Sequence, residues 1–83
     1  MEVERPTYTL WLVSPGDDRL GVMRAIRALC PAVSPTAAKA LADGALQAIK
    51  HEVNHFDIDA IRRQFRDAGA TVEFVDNVYG RRL

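Results

Sequence analysis

Apolar residues recur at every second position near both ends of this chain and with a helical period between those ends. Residues 7–14 (TYTLWLVS) alternate and are rich in aromatic and β-branched side chains, and residues 71–75 (TVEFV) repeat the pattern over a shorter stretch. Both are predicted to be β-strands. Three stretches between them, at 18–29, 36–43 and 54–69, are predicted to be helices. This mixture of elements favours an α+β fold.

The limits of the first two helices are predicted from residues that satisfy free backbone groups. Asp17 or Asp18 is expected to begin the first helix, because a short acidic side chain accepts hydrogen bonds from free N–H groups. Ser34 and Pro35 are expected to begin the second helix as its N-cap and first helical residue. Gly44 is expected to end that helix in the left-handed conformation.

The third helix is predicted to begin at Asn54, with Asp57 three residues later in a capping-box position, and to end at Gly69. Its apolar residues are spaced three and four positions apart, so its buried face is expected to hold Ile58, Ile61, Phe65 and Ala68. By the same spacing, the buried face of the first helix is expected to hold Val22, Ala25, Ile26 and Leu29.

The segment ALQAIKHEV, residues 45–53, fits two structures equally well. As a strand, its side chains alternate between two faces, and as a helix, its apolar residues share one side. Only the helical interpretation brings His51 and His55 together with Glu52 between them, in the His-Glu-x-x-His pattern of zinc metalloproteases. Periodicity leaves both interpretations open.

A catalytic zinc site needs both histidines on one helix, a third ligand, and a cleft with an open coordination position. Glu73 is the most suitable downstream carboxylate, and a chain of 83 residues leaves little sequence from which to build a substrate cleft. Such a short pattern also arises easily by chance. A strand end followed by a capped helix is the simpler interpretation, so we expect no metal, no cofactor and no enzymatic activity.

Length and charge restrict the remaining classes of function. The 83 residues suit a single domain with a modest core, expected at 7–76 between tails at 1–6 and 77–83. Eleven acidic residues balance eleven Lys and Arg, so the overall charge gives no reason to expect direct binding of nucleic acid or membrane. One cysteine, Cys30, excludes an internal disulfide and fits a reducing cytoplasm. No apolar run approaches the roughly 20 residues that span a bilayer.

The side of the first helix that faces away from its buried residues has an unusual composition. Leu20, Arg24 and Arg27 recur there at i, i+4 and i+7, and Met23 lies beside them. Arginine can lay its aliphatic stem along exposed apolar side chains while its planar guanidinium pairs with carboxylates. This pattern predicts a docking surface for an acidic-hydrophobic partner helix.

Three stretches resemble one known family, namely AKAL at 38–41, AIKHEV at 48–53 and DAIRRQFRDAGATVEF at 59–74. Over about residues 8–75 the chain resembles the C-terminal domain of the bacterial large-subunit ribosomal stalk protein, the L seven/L twelve family. The resemblance implies a two-layer α+β fold of order βααβαβ, with three helices packed on one face of a three-stranded sheet.

The resemblance also bears on the ambiguous segment and on the function. It makes residues 49–53 a strand, with Asn54 capping the next helix, and this arrangement would separate His51 from His55. In that family the first helix and one lysine of the second helix recruit translational GTPases. By position, the resemblance assigns this role to Arg19, Leu20, Met23, Arg24, Arg27 and Lys39. It implies a non-enzymatic module that binds a translational GTPase or another acidic-hydrophobic partner.

Some features depart from the family pattern. The loop PAVSPT at 31–36 replaces the family's Gly-Leu-Gly-Leu-Lys loop beside the binding surface, and few residues precede the first strand. The dimerisation domain and hinge of the full-length stalk protein are therefore expected to be absent. Trp11, on the outer face of the sheet, is expected to mark a second contact or weak self-association, unless the C-terminal tail covers it.

A second kind of binder also fits part of the sequence. The protease adaptor ClpS has a related fold, and its first strand likewise leads into an acidic pair that helps to receive a free α-amino group. Asp17 and Asp18 match that pair. A ClpS-like adaptor that recognises N-terminal residues is therefore the alternative to the stalk-like module.

Overall fold

The computed structural model describes residues 6–44 and 46–83. Residues 1–5, which make up nearly all of the predicted N-terminal tail, lie outside this description. The elements follow the predicted βααβαβ order, with a 3₁₀ turn before the last helix. They are β1 (Thr7–Ser14), α1 (Arg19–Leu29), α2 (Pro35–Asp43), β2 (Gln47–Asn54), the turn His55–Asp57, α3 (Ile58–Asp67) and β3 (Thr71–Asp76). The α+β prediction is confirmed.

The first strand lies at the centre of an antiparallel sheet of order β2-β1-β3. Its inward side chains are buried, and Leu10 and Leu12 have no exposed surface. The helices complete this core with the residues that their spacing predicts, except that Leu29 is only partly buried. The buried side chains of the three helices are Val22, Ala25, Ile26, Ala38, Ala42, Ile58, Ile61 and Phe65.

Most of the predicted helix limits are confirmed. Of the two candidate caps for α1 it is Asp18 whose carboxylate accepts from the Gly21 N–H, at 2.9 Å. Ser34 caps α2 by accepting from the Ala37 N–H, at 3.1 Å. Gly69 follows α3 with a φ of 78°, and the Ala70 N–H donates to the Phe65 carbonyl, which satisfies the last turn of the helix.

One predicted helix start and one predicted backbone conformation are wrong. Gly44 ends α2 as predicted but has a φ of −85°, and among the described residues of this loop it is Leu46 that is left-handed, with a φ of 56°. Asn54 caps the 3₁₀ turn by accepting from the Phe56 N–H, so α3 begins only at Ile58. Asp57 makes no side-chain capping hydrogen bond. The 3₁₀ turn forms backbone hydrogen bonds locally, so the α-helix begins about one turn later in the sequence than predicted.

The loop that follows β1 lies directly against the turn that follows α3. Gly16 has a φ of 68°, and a Cβ atom at this position would collide with the carbonyl of Gly69. Both the positive φ and the close approach require a residue without a side chain. This contact holds the beginning of α1 beside the end of α3.

From Gln47 onward, the ambiguous segment is a strand. Gln47–Asn54 pairs with β1, and the pairing shifts register between Tyr8 and Leu10 and again between Leu10 and Trp11. An irregularity of this kind bends the strand and leaves backbone groups without a ladder partner. The His51 carbonyl lies at the first shift, and it accepts a hydrogen bond from a side chain beyond the sheet.

That side chain is Asn77, which joins the two ends of the domain. Its Nδ2 atom donates to the His51 carbonyl at 2.6 Å and to the Thr7 Oγ1 atom at 2.9 Å. Its Oδ1 atom accepts from the hydroxyl of Thr9, a residue that is only 8% exposed. One amide therefore satisfies a strand irregularity and a buried hydroxyl together.

None of the helices in the described part of the chain is long and apolar enough to cross a membrane.

Replacing Asn77 by Ala is expected to lower the free energy of unfolding by about 1–2 kcal/mol, because the His51 carbonyl and Thr9 hydroxyl lose their shared partner. Urea unfolding followed by circular dichroism measures this change. Val78→Ala is the matched control, because the Val78 side chain is exposed, and it should shift stability by less than about 0.5 kcal/mol. Equal effects from both variants would show that Asn77 does not hold the sheet together.

Candidate partner-binding surface

The outward face of α1 follows from the residues that the helix buries. Val22, Ala25 and Ile26 pack into the core. Because a helix turns about 100° per residue, this packing turns Leu20, Arg24 and Arg27 toward solvent. All three are exposed, and Leu20 is 65% exposed.

Met23 contributes less apolar surface than Leu20. It is partly buried and packs against the hydrophobic core. The exposed apolar part of this face is therefore mainly Leu20, at the first turn of α1, with an edge of Met23 beside it. A flexible thioether at such a boundary can adjust its shape to a partner.

The cations of this surface differ in their contacts. The Arg19 guanidinium donates to the Asp43 carboxylate at 2.7 Å, and both side chains are about half exposed. Ion pairs among the described residues involve neither Arg24 nor Arg27. These two guanidinium groups are therefore available to an external carboxylate, whereas Arg19 would have to exchange its partner.

Lys39 lies on the neighbouring helix. Helix α2 buries Ala38 and Ala42 and packs mainly against α1, since small alanine side chains allow close approach of the two helices. Lys39 is exposed. The six residues assigned from the resemblance therefore lie on two adjacent helices, five of them on α1.

The structure separates the two histidines of the His-Glu-x-x-His pattern. His51 lies in β2, whereas His55 begins the 3₁₀ turn, where its ring centroid is 6.4 Å from that of Tyr8. The helical interpretation of this segment is therefore wrong. No group of three metal-ligating side chains occurs within residues 6–44 and 46–83. The pattern is interrupted by a change of secondary structure and does not form the helical zinc site that it imitates.

The remaining candidates make structural contacts. The Asp18 carboxylate is used to cap α1, which leaves Asp17 as the only member of the acidic pair without that task. Cys30 is half-buried at the end of α1, where its thiol is 4.0 Å from the Ile49 carbonyl. The capping role of Asp18 gives no specific support to a ClpS-like amine site.

Trp11 lies on the outer face of the sheet and is half-buried there. It lines an open pocket of about 220 Å³ together with Leu46, Glu73 and Val75. Sequence reasoning identified the tryptophan but not the three residues around it. Glu73 and Val75 come from β3 and Leu46 from the loop before β2, and the pairing of both strands with β1 brings them beside Trp11.

Three helices on one face of a β2-β1-β3 antiparallel sheet, with an exposed basic and apolar first helix, define a domain of the ribosomal stalk type. Residues 8–75 match the family model described as the ribosomal protein L7/L12 C-terminal domain. The chain belongs to this family.

Curated relatives agree with this assignment. The chain is 37% identical over 70 residues to the large ribosomal subunit protein bL12 of Thiobacillus denitrificans, covering 84% of this chain and 54% of that protein. It is 34% identical to bL12 of Chlorobium phaeovibrioides and 33% identical to bL12 of Teredinibacter turnerae, with 84% of this chain covered in both cases and 56% and 55% of those proteins. The chain spans about half the length of the curated relatives that it matches.

Adding equimolar zinc to the purified protein is expected to leave its unfolding temperature unchanged, because His51 and His55 lie on different elements. A tightly bound metal would raise that temperature by stabilising only the folded state. Thermal unfolding with and without zinc, with the imidazole resonances followed by NMR, measures this. Joint shifts of both imidazoles at one equivalent of zinc would contradict the expectation.

Proposed function

We propose that this protein is a non-enzymatic binding module of the ribosomal stalk type, which docks a translational GTPase or a similar acidic-hydrophobic partner through α1. The supporting observation is Leu20, which is 65% exposed on the same helical face as two guanidinium groups without ion pairs among the described residues. The assignment of the chain to the L7/L12 C-terminal domain family adds to it. A role in translation would place the protein in the cytoplasm.

The chemistry of the surface suggests how such a partner would bind. Leu20 would enter an apolar groove between the partner's side chains, and burial of a leucine contributes about 1.5–3 kcal/mol. Arg24 and Arg27 would pair with carboxylates at the rim of that groove, where planar guanidinium groups form two hydrogen bonds to one carboxylate. The cations would also accelerate encounter with an acidic partner.

Arg19 would join this interface by exchanging its partner. An exposed ion pair such as Arg19–Asp43 contributes only about 0.2–1 kcal/mol. A partner carboxylate could therefore replace Asp43 at little cost. Lys39 on α2 would extend the basic rim, so that the partner contacts both helices.

Reversing two charges tests this surface. Arg24→Glu combined with Arg27→Glu is expected to weaken binding to a purified translational GTPase by at least tenfold, because two attractive contacts become repulsive. Isothermal titration calorimetry at low ionic strength measures the affinity. Arg63→Glu with Arg66→Glu makes the same charge change on the exposed side of α3 and is the matched control. If both double variants lose affinity for the GTPase equally, the loss is caused by the change in net charge and not by the α1 surface. That result would contradict the proposal.

Leu20→Ala and Met23→Ala separate binding from folding. Leu20→Ala should reduce affinity for the GTPase roughly tenfold while changing stability by less than about 0.5 kcal/mol, because the side chain is exposed in the free protein. Met23→Ala should lower both affinity and stability, because Met23 packs against the core. Urea unfolding and calorimetry on the same samples measure the two quantities. Full affinity for the GTPase in Leu20→Ala would remove α1 as the docking helix.

A further inference from the structure

The outer face of the sheet carries a row of side chains that the proposed function does not use. Trp11 pairs with Ala48 of β2 on one side and with Glu73 of β3 on the other. Opposed residues of an antiparallel pair share a face, so the indole of Trp11 has the Glu73 carboxylate as its direct neighbour. Val75 follows on the same face as Glu73, two residues along β3.

The C-terminal segment continues this face beyond β3. Arg82 forms an antiparallel bridge with Val75, the Leu83 N–H donates to the Phe74 carbonyl, and the Asp76 N–H donates to the Arg81 carbonyl. Residues 81–83 therefore lie along the outer edge of β3 as a short extended segment. The segment that the sequence predicts to be a tail is hydrogen-bonded to the sheet.

Arg82 places a cation at the rim of the pocket. Its guanidinium donates to the Glu73 Oε1 atom at 3.1 Å, and the two side chains are 70% and 37% exposed. The Trp11 ring takes no part in the cation–ring contacts of the described residues, which involve Phe74 and Tyr79. Within residues 6–44 and 46–83, the Glu73 carboxylate is thus paired, whereas no cation lies over the Trp11 ring.

Leu46 supplies the apolar wall of this pocket under local strain. Its φ of 56° is a left-handed conformation that few residues other than glycine adopt, and its side chain is 63% exposed. The Leu46 side chain therefore adds little to the core, and its backbone is strained. This conformation does place an aliphatic side chain opposite Trp11 at the mouth of the pocket.

We propose that Trp11, Leu46, Glu73 and Val75 form a docking site for an arginine side chain carried on an extended segment of a partner protein. In the free protein, Arg82 occupies the acidic rim of this site. A partner arginine would lie on the indole and pair with Glu73, while its backbone would follow the edge of β3 in place of residues 81–83.

Charge and size favour this occupant. A guanidinium can stack on an indole and pair with a carboxylate at the same time, so it satisfies both neighbours in this pocket. The pocket, of about 220 Å³, is smaller than the roughly 300–1,000 Å³ typical of small-molecule sites and suits a single long side chain. Pairing of the chain's own extended segment with β3 shows that this edge accepts added backbone.

This site is independent of the α1 surface. The helices pack against the inward face of the sheet, whereas Trp11 and Glu73 lie on its outward face. The two surfaces can therefore be tested by separate variants, and failure of one leaves the other standing.

Two substitutions that break the same ion pair should have opposite effects on peptide binding. The probe is the capped peptide acetyl-Gly-Arg-Arg-Leu-amide, which copies residues 80–83, and the signal is the emission of Trp11, the one tryptophan in the chain. Arg82→Ala should raise the affinity for this peptide roughly two- to fivefold, because it removes an exposed competitor. Glu73→Gln should lower the affinity at least threefold, and Arg24→Glu with Arg27→Glu should leave it unchanged.

Controls make the result decisive. A peptide with both arginines replaced by alanine should leave the Trp11 emission unchanged. If Arg82→Ala and Glu73→Gln change the affinity for the peptide in the same direction, the ion pair only supports the structure, and the proposal is overturned. An absence of any Trp11 response to the arginine peptide would overturn it as well. The proposal would also be overturned if the Trp11 emission or the mass of the protein in solution varied with protein concentration in the absence of peptide. A second copy of the chain would then be the occupant of the site.

Discussion

The pairing of β1 with strands on both of its sides is the constraint on which the rest of the structure depends. Its inward residues, Leu10 and Leu12, are fully buried and form the floor against which the helices pack. Each helix covers that face with one buried stripe, and this packing sets the orientation of the helix. The outward face of the same strand carries Trp11, so one strand determines the position of both proposed binding surfaces.

The exposed face of α1 is a consequence of this packing. Burial of Val22, Ala25 and Ile26 turns Leu20 and the arginines outward, and the Asp18 cap fixes the residue at which the helix begins. A later cap would leave Leu20, which lies in the first turn, outside the helix and therefore off this face. The composition of the surface therefore rests on local capping chemistry as well as on the core.

Much of the fold could be predicted from the sequence because its signals are local. The spacing of Ile58, Ile61 and Phe65, the Ser34 cap and the turn at Gly69 each depend on residues within one or two turns. Periodicity could not decide the segment at 45–53, because an apolar residue at every second, third and fourth position fits two structures. It became a strand because β1 needs a second partner, which is a long-range requirement.

Several features that the sequence did not reveal are contacts between separated positions. Nothing near Asn77 indicates that its amide will bind the His51 carbonyl, and nothing near Arg82 indicates that it will pair with Glu73. For α1, the positions of the candidate residues follow from the helical wheel, but the ion pair of Arg19 with Asp43 does not. Strand register and the closure of loops determine these contacts, and neither can be predicted from a short stretch of sequence.

The central position of β1 also affects how the chain acquires its structure during synthesis. Strand β1 obtains one of its two neighbours only from β3, and Thr9 and Asn77, which close the sheet, are 68 residues apart. A contact of that separation forms late and slows folding relative to a helical bundle of similar length. The nascent domain must therefore remain incomplete until β3 and Asn77 have been translated.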